Sequence, residues 1–225
     1  MHVRPHRDSL RVLLTALLLG AVGGCGETPE DTSWVAQYYA THVESFEAGE
    51  NAGFGQAEFP DVVLGPPQGQ GTARGGLDVL SLGVGGTIVI GFEGMAITNG
   101  EGPDFIVFEN AFWAGNDPAQ VWADPAEVSV SDDGVSWTAF PCEPDLENTT
   151  TLEGCAGWQP VLSFESTVVV PLDPALTGGD AFDLSTIGLE RAKYIRIRDL
   201  ATDGGSPSAG FDLDAVGLIH SQPLN

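Results

Sequence analysis

Basic residues are scarce in this chain. Its 225 residues include only 8 Lys and Arg against 32 Asp and Glu, which gives a formal net charge of −24. Binding to nucleic-acid phosphates requires clustered Lys and Arg, so the composition excludes a nucleic-acid-binding protein. Attraction to anionic membrane surfaces needs the same charges. Acidic, oxygen-rich loops favour divalent cations instead, with a merely soluble acidic surface as the alternative.

Motifs of the common enzyme classes are also missing. The chain contains no nucleophile elbow, P-loop, dinucleotide-binding or zinc-protease pattern,. No carboxylate pair stands out as suited to glycoside cleavage. We therefore expect a protein without catalytic residues, and a polysaccharide hydrolase or lyase is the less favoured alternative.

Long hydrophobic runs are absent, and the apolar stretch near the N-terminus is short. Val12–Leu19 follows a basic start and precedes the small residues Val22–Gly24. About a dozen apolar residues cannot cross a bilayer, which needs roughly 20. A charged start, a short apolar run and a small-residue cleavage site together are typical of a secretory signal.

The cysteine after those small residues carries more information. Cys25 in this position resembles the cysteine of the bacterial lipobox, which is acylated and becomes the new N-terminus. The resemblance implies a signal peptide over residues 1–24, a lipid anchor on Cys25 and an extracytoplasmic location. Gly26 after the cysteine favours the outer membrane or cell surface. An ordinary secreted protein with a chance cysteine is the alternative.

Cysteine is otherwise rare, with three in the whole chain. Setting Cys25 aside leaves Cys142 and Cys155. In an oxidising compartment an even remainder predicts one disulfide. A metal site is less favoured, because no further soft ligands lie near these two residues.

Glycine and proline, by contrast, are plentiful, with 30 Gly and 15 Pro. Such a composition favours many turns over long helices. Short apolar or alternating runs lie between the turn signals, and no helical pattern alternates with them. The predicted strands are Asp78–Leu82, Thr87–Phe92, Phe105–Asn110, Ala126–Ser131, Ser136–Phe140, Val168–Pro171, Lys193–Asp199 and Phe211–His220. The pattern predicts an all-β protein built as a β-sandwich.

The domain organisation follows from the same reading. Residues 25–33 are polar and predict a tether, and residues 34–225 predict a single β-sandwich domain. Within it, the spacing of Trp34, Tyr38 and Val43 predicts a short helix in Trp34–Glu47. Glu50–Gly76 is rich in Gly and Pro and is expected to run as an irregular wrapping segment.

One hairpin is predicted by a local pattern. In Val128–Trp137, apolar and polar residues alternate on both sides of Asp133-Gly134, a dipeptide typical of turns with positive φ,. We expect Trp137 to lie in the core.

Three motifs carry a family resemblance. The Ser131–Trp137 segment resembles the Ser-x-Asp-Gly-x-x-Trp hairpin of discoidin-like domains, and Lys193–Asp199 (KYIRIRD) resembles a late strand of that group. Phe211–Ile219 (FDLDAVGLI) resembles the last strand of galactose-binding-like jelly rolls, which include calcium-carrying carbohydrate-binding modules. The chain also resembles bacterial cell-surface proteins that share the blocks at Leu80–Phe92, Gly102–Asn110 and Phe211–Val216. The resemblance implies a jelly-roll sandwich.

The terminal strand motif also suggests a cation site. Alternation places Asp212 and Asp214 on one face about 7 Å apart, and Val216 and Leu218 continue that face. Two carboxylates on a buried strand are costly unless they are paired or bound to metal. Calcium takes six to eight oxygen ligands. In the calcium-bearing relatives an Asp of this strand is a ligand, which corresponds to Asp214, or to Asp212 if the register slips.

Other acids are candidates for the same role. Asp199 and Asp203 flank the loop before the terminal strand, and Asp104 and Glu109 bracket the apolar run Phe105–Phe108. Asp78 has a weaker claim. The alternative is that these acids cap turns, bond neighbouring backbone or pair with Arg196 or Arg198.

Tryptophans suggest a ligand surface. Trp113 and Trp122 fall in a long loop between two strands, and Trp158 follows the second disulfide cysteine. An exposed indole can stack on the apolar face of a sugar ring, and Asn116, Asp117 and Gln120 could bind its hydroxyls. The alternative is that these tryptophans cap the core.

Together these features predict a calcium-stabilised surface lipoprotein that binds a carbohydrate or another surface ligand. The competing prediction is a structural or adhesive envelope protein whose partner is another protein.

Overall fold

Short antiparallel strands make up most of the described chain. The computed structural model describes residues 37–143, 152, 154–163 and 171–224, all within one unit, Thr32–Asn225. The predicted signal peptide, acylated Cys25, tether 25–33 and residues 168–170 of the predicted strand Val168–Pro171 lie outside the described residues.

The strand bounds are β1 His42–Glu47, β2 Leu80–Ser81, β3 Thr87–Gly91, β4 Met95–Thr98, β5 Phe105–Glu109, β6 Phe112–Trp113, β7 Val121–Trp122, β8 Ala126–Ser131, β9 Thr138–Ala139, β10 Asp180–Phe182, β11 Arg191–Ala192, β12 Tyr194–Asp199, β13 Asp212–Leu218 and β14 Ser221–Pro223. The α-helix α1 spans Pro174–Thr177, and short 3₁₀ turns lie at Asp61–Val63, Ala114–Asn116 and Leu184–Ile187. Among the described residues, no helix has the length and apolarity needed to span a membrane.

Two larger sheets form the sandwich. One has the order β1-β3-β12-β8-β9 and the other β10-β5-β13-β2, with every pair antiparallel. Smaller sheets join β11-β4-β14 and β6-β7. The predicted all-β sandwich is therefore confirmed, whereas the jelly-roll connectivity stays a prediction.

The core lies where side chains of both sheets meet. On β12, Ile195 pairs with Ile90 and Val130. Two residues further along, Ile197 pairs with Ile88 and Val128. These residues share one hydrophobic cluster with Phe105 and Val107 of β5. Period-2 alternation sends Arg196 and Arg198 to the opposite face of the five-stranded sheet.

Strand β5 is buried on both faces. Ile106 and Phe108 belong to a second cluster, with Tyr39, Val161 and Leu172 packed beside them. Double-sided burial explains why Phe105–Phe108 is an unbroken apolar run rather than an alternating one.

The predicted helix over Trp34–Glu47 is wrong for the part that the structure describes, because His42–Glu47 forms strand β1. Its pairing with β3 shifts between Val43 and Ser45, which marks a β-bulge. The extra residue places core contacts at Val43 and Phe46, three positions apart. A bulged strand therefore imitates helical spacing in the sequence.

The predicted hairpin is confirmed, but its loop is longer than a two-residue turn. Val130 pairs with Thr138, and residues 132–137 connect the strands. Asp133 Oδ1 accepts the backbone N–H groups of Val135 at 2.8 Å and Ser136 at 2.7 Å. Trp137 is only half-buried and lies under the Arg196 guanidinium, so its expected place in the core is wrong.

Candidate functional site

A cavity of about 530 Å³ lies beside β10 and is lined by two of the candidate tryptophans, Trp113 and Trp158. We call it the tryptophan pocket. Its full lining is Thr72, Trp113, Gly154, Cys155, Trp158, Gln159, Pro160, Leu162, Pro174, Ala175, Gly178, Gly179, Asp180, Ala181 and Phe182. A second cavity of about 510 Å³ shares Gly154, Ala181 and Phe182 with it, so the two cavities adjoin.

Local structure fixes both indoles. Trp113 lies on β6, pairs with Val121 of β7, and donates its backbone N–H to Thr72 O at 2.8 Å. Trp158 follows the predicted disulfide, which is confirmed between Cys142 and Cys155. Both indoles are half-buried, which leaves part of each available to a ligand.

Gly157 sets the path of the chain into Trp158. Its φ of +97° suits glycine, and a Cβ there would collide with the carbonyl oxygen of Asp124,. This path aims the Gly157 N–H at Asp180 Oδ2, at 2.7 Å, and the Trp158 N–H at the same oxygen, at 3.2 Å. Asp180 therefore anchors one wall of the tryptophan pocket.

Asp180 is itself an unusual carboxylate. It is 4% exposed, and its Oδ1 has no hydrogen-bond partner among the described residues. Burial raises its pKa to about 7, although the backbone N–H groups of Gly157, Trp158 and Gln159 act in the opposite direction,.

Glu109, at the end of β5, is more completely isolated. It is 1% exposed, and neither carboxylate oxygen has a partner in the described part of the chain. Burial raises the pKa of Glu109 well above its usual value, and the negative charges of Asp124, Asp212 and Asp180 add to that rise. The nearby Asn110 N–H lowers the pKa only partly. We call Glu109, Asp180 and Asp212, together with the half-buried Asp124, the buried acidic group.

Its other members are also shifted by burial. Desolvation raises the pKa of Asp124 to about 6, and the charges of Asp212 and Asp199 add to it. Burial also raises the pKa of Asp212 to about 6, while hydrogen bonds from Ser81 Oγ and Asn110 Nδ2 oppose the shift. These carboxylates repel one another at neutral pH unless protons or a cation neutralise them.

Antiparallel pairing explains why these acids meet. Glu109 ends β5 and pairs with Leu213 beside the start of β13. Asp180 opens β10, whose first residue pairs with Val107 of β5. In antiparallel sheets the start of one strand lies at the end of its neighbour.

Asp214 does not join this group. The β5–β13 register shifts between Leu213 and Ala215, so Asp214 sits at a β-bulge, and both its oxygens accept the Gln68 N–H at 3.0 Å. Burial raises its pKa to about 8, and the charge that adds to the rise is that of Asp78.

Because of this bulge, the prediction that Val216 and Leu218 lie on the same face of β13 as Asp212 and Asp214 is wrong. Val216 and Leu218 share the main core with Leu213 rather than continuing a face with Asp212 and Asp214,.

Two further candidates are satisfied by hydrogen bonds. Asp199 accepts the backbone N–H groups of Gly85, Ala201 and Phe211 at 2.8–3.0 Å. Burial nevertheless raises its pKa.

Asp104 lies at the other end of β5 from Glu109. It accepts the N–H groups of Gly100 and Leu184, both at 2.8 Å, and contacts His220 Nδ1 at 2.9 Å. Asp203 is exposed in the loop before β13.

The remaining ligand candidates lie on the β6–β7 hairpin, outside the pocket lining. Trp122 is 62% exposed and stacks on Phe112 with ring centroids 6.1 Å apart. Asp117 accepts from the Ala119 N–H and from Gln120 Nε2. Asn116 accepts from Thr72 Oγ1 at 3.4 Å, which places it next to the pocket rim.

Sequence reasoning missed Asp124 and Asp180. Each lies beside a strand start, Asp124 two residues before β8 and Asp180 at the first position of β10. A prediction of which strand ends pair would have placed Asp124 and Asp180 near Glu109, but the sequence pattern does not predict β10.

The described ranges contain no ready-made metal centre, because no three Asp, Glu, His or Cys side chains there are arranged so that they could hold an ion. A cation at the buried acidic group would require its carboxylates to turn toward one another.

Comparison with known proteins gives little more. No family model matches the chain, and no curated protein matches it. Among solved structures, the chain is similar to one named "Glycoside hydrolase", with a TM-score of 0.33 and 12% identity over 80% of this chain. The chain spans 31% of the length of that structure. At this level of likeness the match assigns no activity.

Proposed function

We propose that this protein is a non-catalytic carbohydrate-binding module and that the sugar occupies the tryptophan pocket. The observation that supports this most is a cavity of about 530 Å³ with two half-buried indoles and a buried acid in its lining. Pockets for small ligands combine apolar walls with a few well-placed polar groups. Trp113 and Trp158 supply the walls, and Thr72, Gln159 and Asp180 supply polar groups.

The adjoining cavity suits more than one sugar ring. It continues past Gly154, Ala181 and Phe182 toward Phe140 and Thr186. An oligosaccharide could therefore place one ring against the indoles and the next ring beyond the edge strand β10. The predicted lipid on Cys25 would hold this module at the cell surface, within reach of glycans.

We further propose that calcium binds at the buried acidic group and stiffens the back of the pocket. Glu109 supports this, because a buried carboxylate with no hydrogen-bond partner in the described part of the chain is costly and calcium accepts carboxylate oxygens in flexible geometry. Asp180 belongs both to this group and to the pocket lining. Ion binding there would order the strand start that anchors Trp158.

A polysaccharide-cleaving enzyme is the second candidate. Asp180 lines the pocket, and its pKa of about 7 would suit a general acid at neutral pH. Glycoside cleavage needs a second carboxylate across the bond. Reducing-end assays on the polysaccharides that bind would separate the two functions, and we expect no turnover.

Glycan-array screening followed by titration of the best oligosaccharide tests the binding function. Trp113→Ala and Trp158→Ala should each weaken binding about tenfold or more, as expected for a central tryptophan contact. Trp122→Ala is the matched control, because this exposed indole lies outside the pocket, and its affinity should equal that of the wild type. Unchanged affinity in both pocket variants would overturn the proposal, and binding only to a protein partner would favour an adhesive role.

A further inference from the structure

The outer face of the five-stranded sheet carries a second candidate site. Arg196 on β12 lies between Val89 of β3 and Ser129 of β8, and Arg198 lies between Thr87 and Glu127. Strand β1 adds Ser45 and Glu47 beside β3. A groove of about 510 Å³, separate from the tryptophan pocket, is lined by Ser45, Glu47, Thr87, Val89, Gly134, Trp137, Arg196 and Arg198.

Basic charge is concentrated on this part of a strongly acidic chain. Arg191, Lys193, Arg196 and Arg198 make up half of the eight Lys and Arg residues in the sequence. Most of them are neutralised locally. Asp132 contacts Arg191 at 2.8 Å and Lys193 at 3.9 Å, and Glu127 contacts Arg198 at 3.1 Å.

Arg196 differs from its neighbours. Its guanidinium carbon lies 4.5 Å from the centroid of the Trp137 ring, and Nε donates to Ser129 Oγ at 3.0 Å. None of the ion pairs among the described residues includes Arg196. The guanidinium is thus held in place by an aromatic ring and a hydroxyl, while no carboxylate of the described residues pairs with its charge.

We propose that this groove binds a glycan through the carboxylate of a uronic acid residue. A planar guanidinium pairs with a carboxylate through two parallel hydrogen bonds. Hydroxyl groups of Ser45 and Thr87 suit sugar hydroxyls, and Val89 and Trp137 offer apolar surface to the ring. Glu47 at the groove repels further negative charge, which favours one acidic sugar among neutral ones over a polyanion.

This site goes beyond the carbohydrate binding proposed for the tryptophan pocket and does not depend on it. The lining residues of the two cavities do not overlap. Either site can therefore fail its test without affecting the other.

Calorimetric titration with cellobiouronic acid, a disaccharide with a single carboxylate, and with neutral cellobiose as the matched sugar tests the proposal in the wild type. The acidic disaccharide should bind about tenfold or more tightly, and its affinity should fall as sodium chloride is raised. Equal affinity for the two sugars, or no binding of the acid, would overturn the proposal without any variant.

Variants then locate the site. Arg196→Met keeps a long side chain beside Trp137 but removes the charge, and it should lower the affinity for cellobiouronate about tenfold or more. Arg191→Met, which removes a guanidinium paired with Asp132 outside the groove, should bind like the wild type. Unchanged binding in Arg196→Met, or tighter binding of an oligoglutamate peptide than of the uronate, would contradict a uronic acid site.

Discussion

Glu109 and Asp104 stand at the two ends of β5, and their surroundings give them different properties. Asp104 is fully buried, yet both its oxygens accept hydrogen bonds. Glu109 is equally buried, and neither oxygen has a partner among the described residues. Hydrogen bonds therefore satisfy the Asp104 carboxylate, whereas the Glu109 carboxylate needs a proton or a cation to neutralise it.

Replacing Glu109 by Gln tests this difference. In excess chelator at pH 8, Glu109→Gln should melt at the same or a higher temperature than the wild type, because it replaces a buried carboxyl group, which must hold either a proton or a charge, by a neutral amide of similar shape. In calcium it should lose most of the stabilisation that the ion gives and bind calcium about tenfold or more weakly. Thermal melts and calcium titrations measure both effects.

Glu93→Gln is the matched control, since it makes the same chemical change at an exposed position. Its melting temperature and calcium response should follow the wild type. A Glu109→Gln variant that keeps the full calcium response would exclude Glu109 as a ligand.

Sequence patterns identified part of this site at the level of single residues. Glu109 and Asp212 were candidates because acids bordering apolar runs are unusual, and the structure brings them together. Asp124 lies outside the predicted strands, and an acidic residue next to a proline such as Pro125 is typical of an ordinary loop. Its pKa is raised by burial and by the charges of Asp212 and Asp199 on other strands, and no local pattern contains either cause.

Among the elements, the longer strands were predictable and the short ones were not. Strands β3, β5, β8 and β12 follow clear apolar patterns, whereas two-residue strands such as β6, β7 and β11 depend on their pairing partners. Bulges caused the larger errors. One hid β1 behind a helix-like spacing, and another turned Val216 away from Asp214.

The Cys142–Cys155 bridge is an element whose loss should be measurable. It closes a loop with a sequence separation of 13, and a loop of this length stabilises a fold by about 3 kcal/mol in the chain-entropy view. The double variant Cys142→Ser with Cys155→Ser should lose about that much unfolding free energy in urea. Sugar affinity should fall as well, because Gly154, Cys155 and Trp158 line the tryptophan pocket.

A reducing agent provides the control for that experiment. It should shift the wild type toward the double variant and leave the double variant unchanged. If wild type and double variant unfold at the same urea concentration, the bridge does not stabilise the fold.

At the scale of the whole molecule, the fold class followed from composition, turns and alternation. The position of the tryptophan pocket did not, because its lining comes from segments that are far apart in sequence, from Thr72 to Phe182. The net charge predicts that the protein favours cations, but it does not indicate which acids would bind them. The structure adds which acids are buried and how they influence one another.

The buried acids make the stability of the whole molecule depend on pH. Burial raises the pKa values of Asp124 and Asp212 to about 6, of Asp180 to about 7 and of Asp214 to about 8. From about pH 4 up to these values the folded state holds more protons than the unfolded chain. Without calcium, unfolding free energy should therefore fall as the pH rises from 5 to 8, which urea unfolding in chelator measures. A free energy that rises over this range would contradict the burial of these groups.

The most direct test of the calcium-supported binding module is the melting temperature of the wild type at pH 8, compared between calcium and excess chelator. At this pH Asp124, Asp180 and Asp212 are largely deprotonated, so an ion that binds only the folded state should raise the melting temperature by about 5 °C or more at a hundred times its dissociation constant. An identical melting temperature in calcium and in chelator would contradict a calcium site at the buried acidic group.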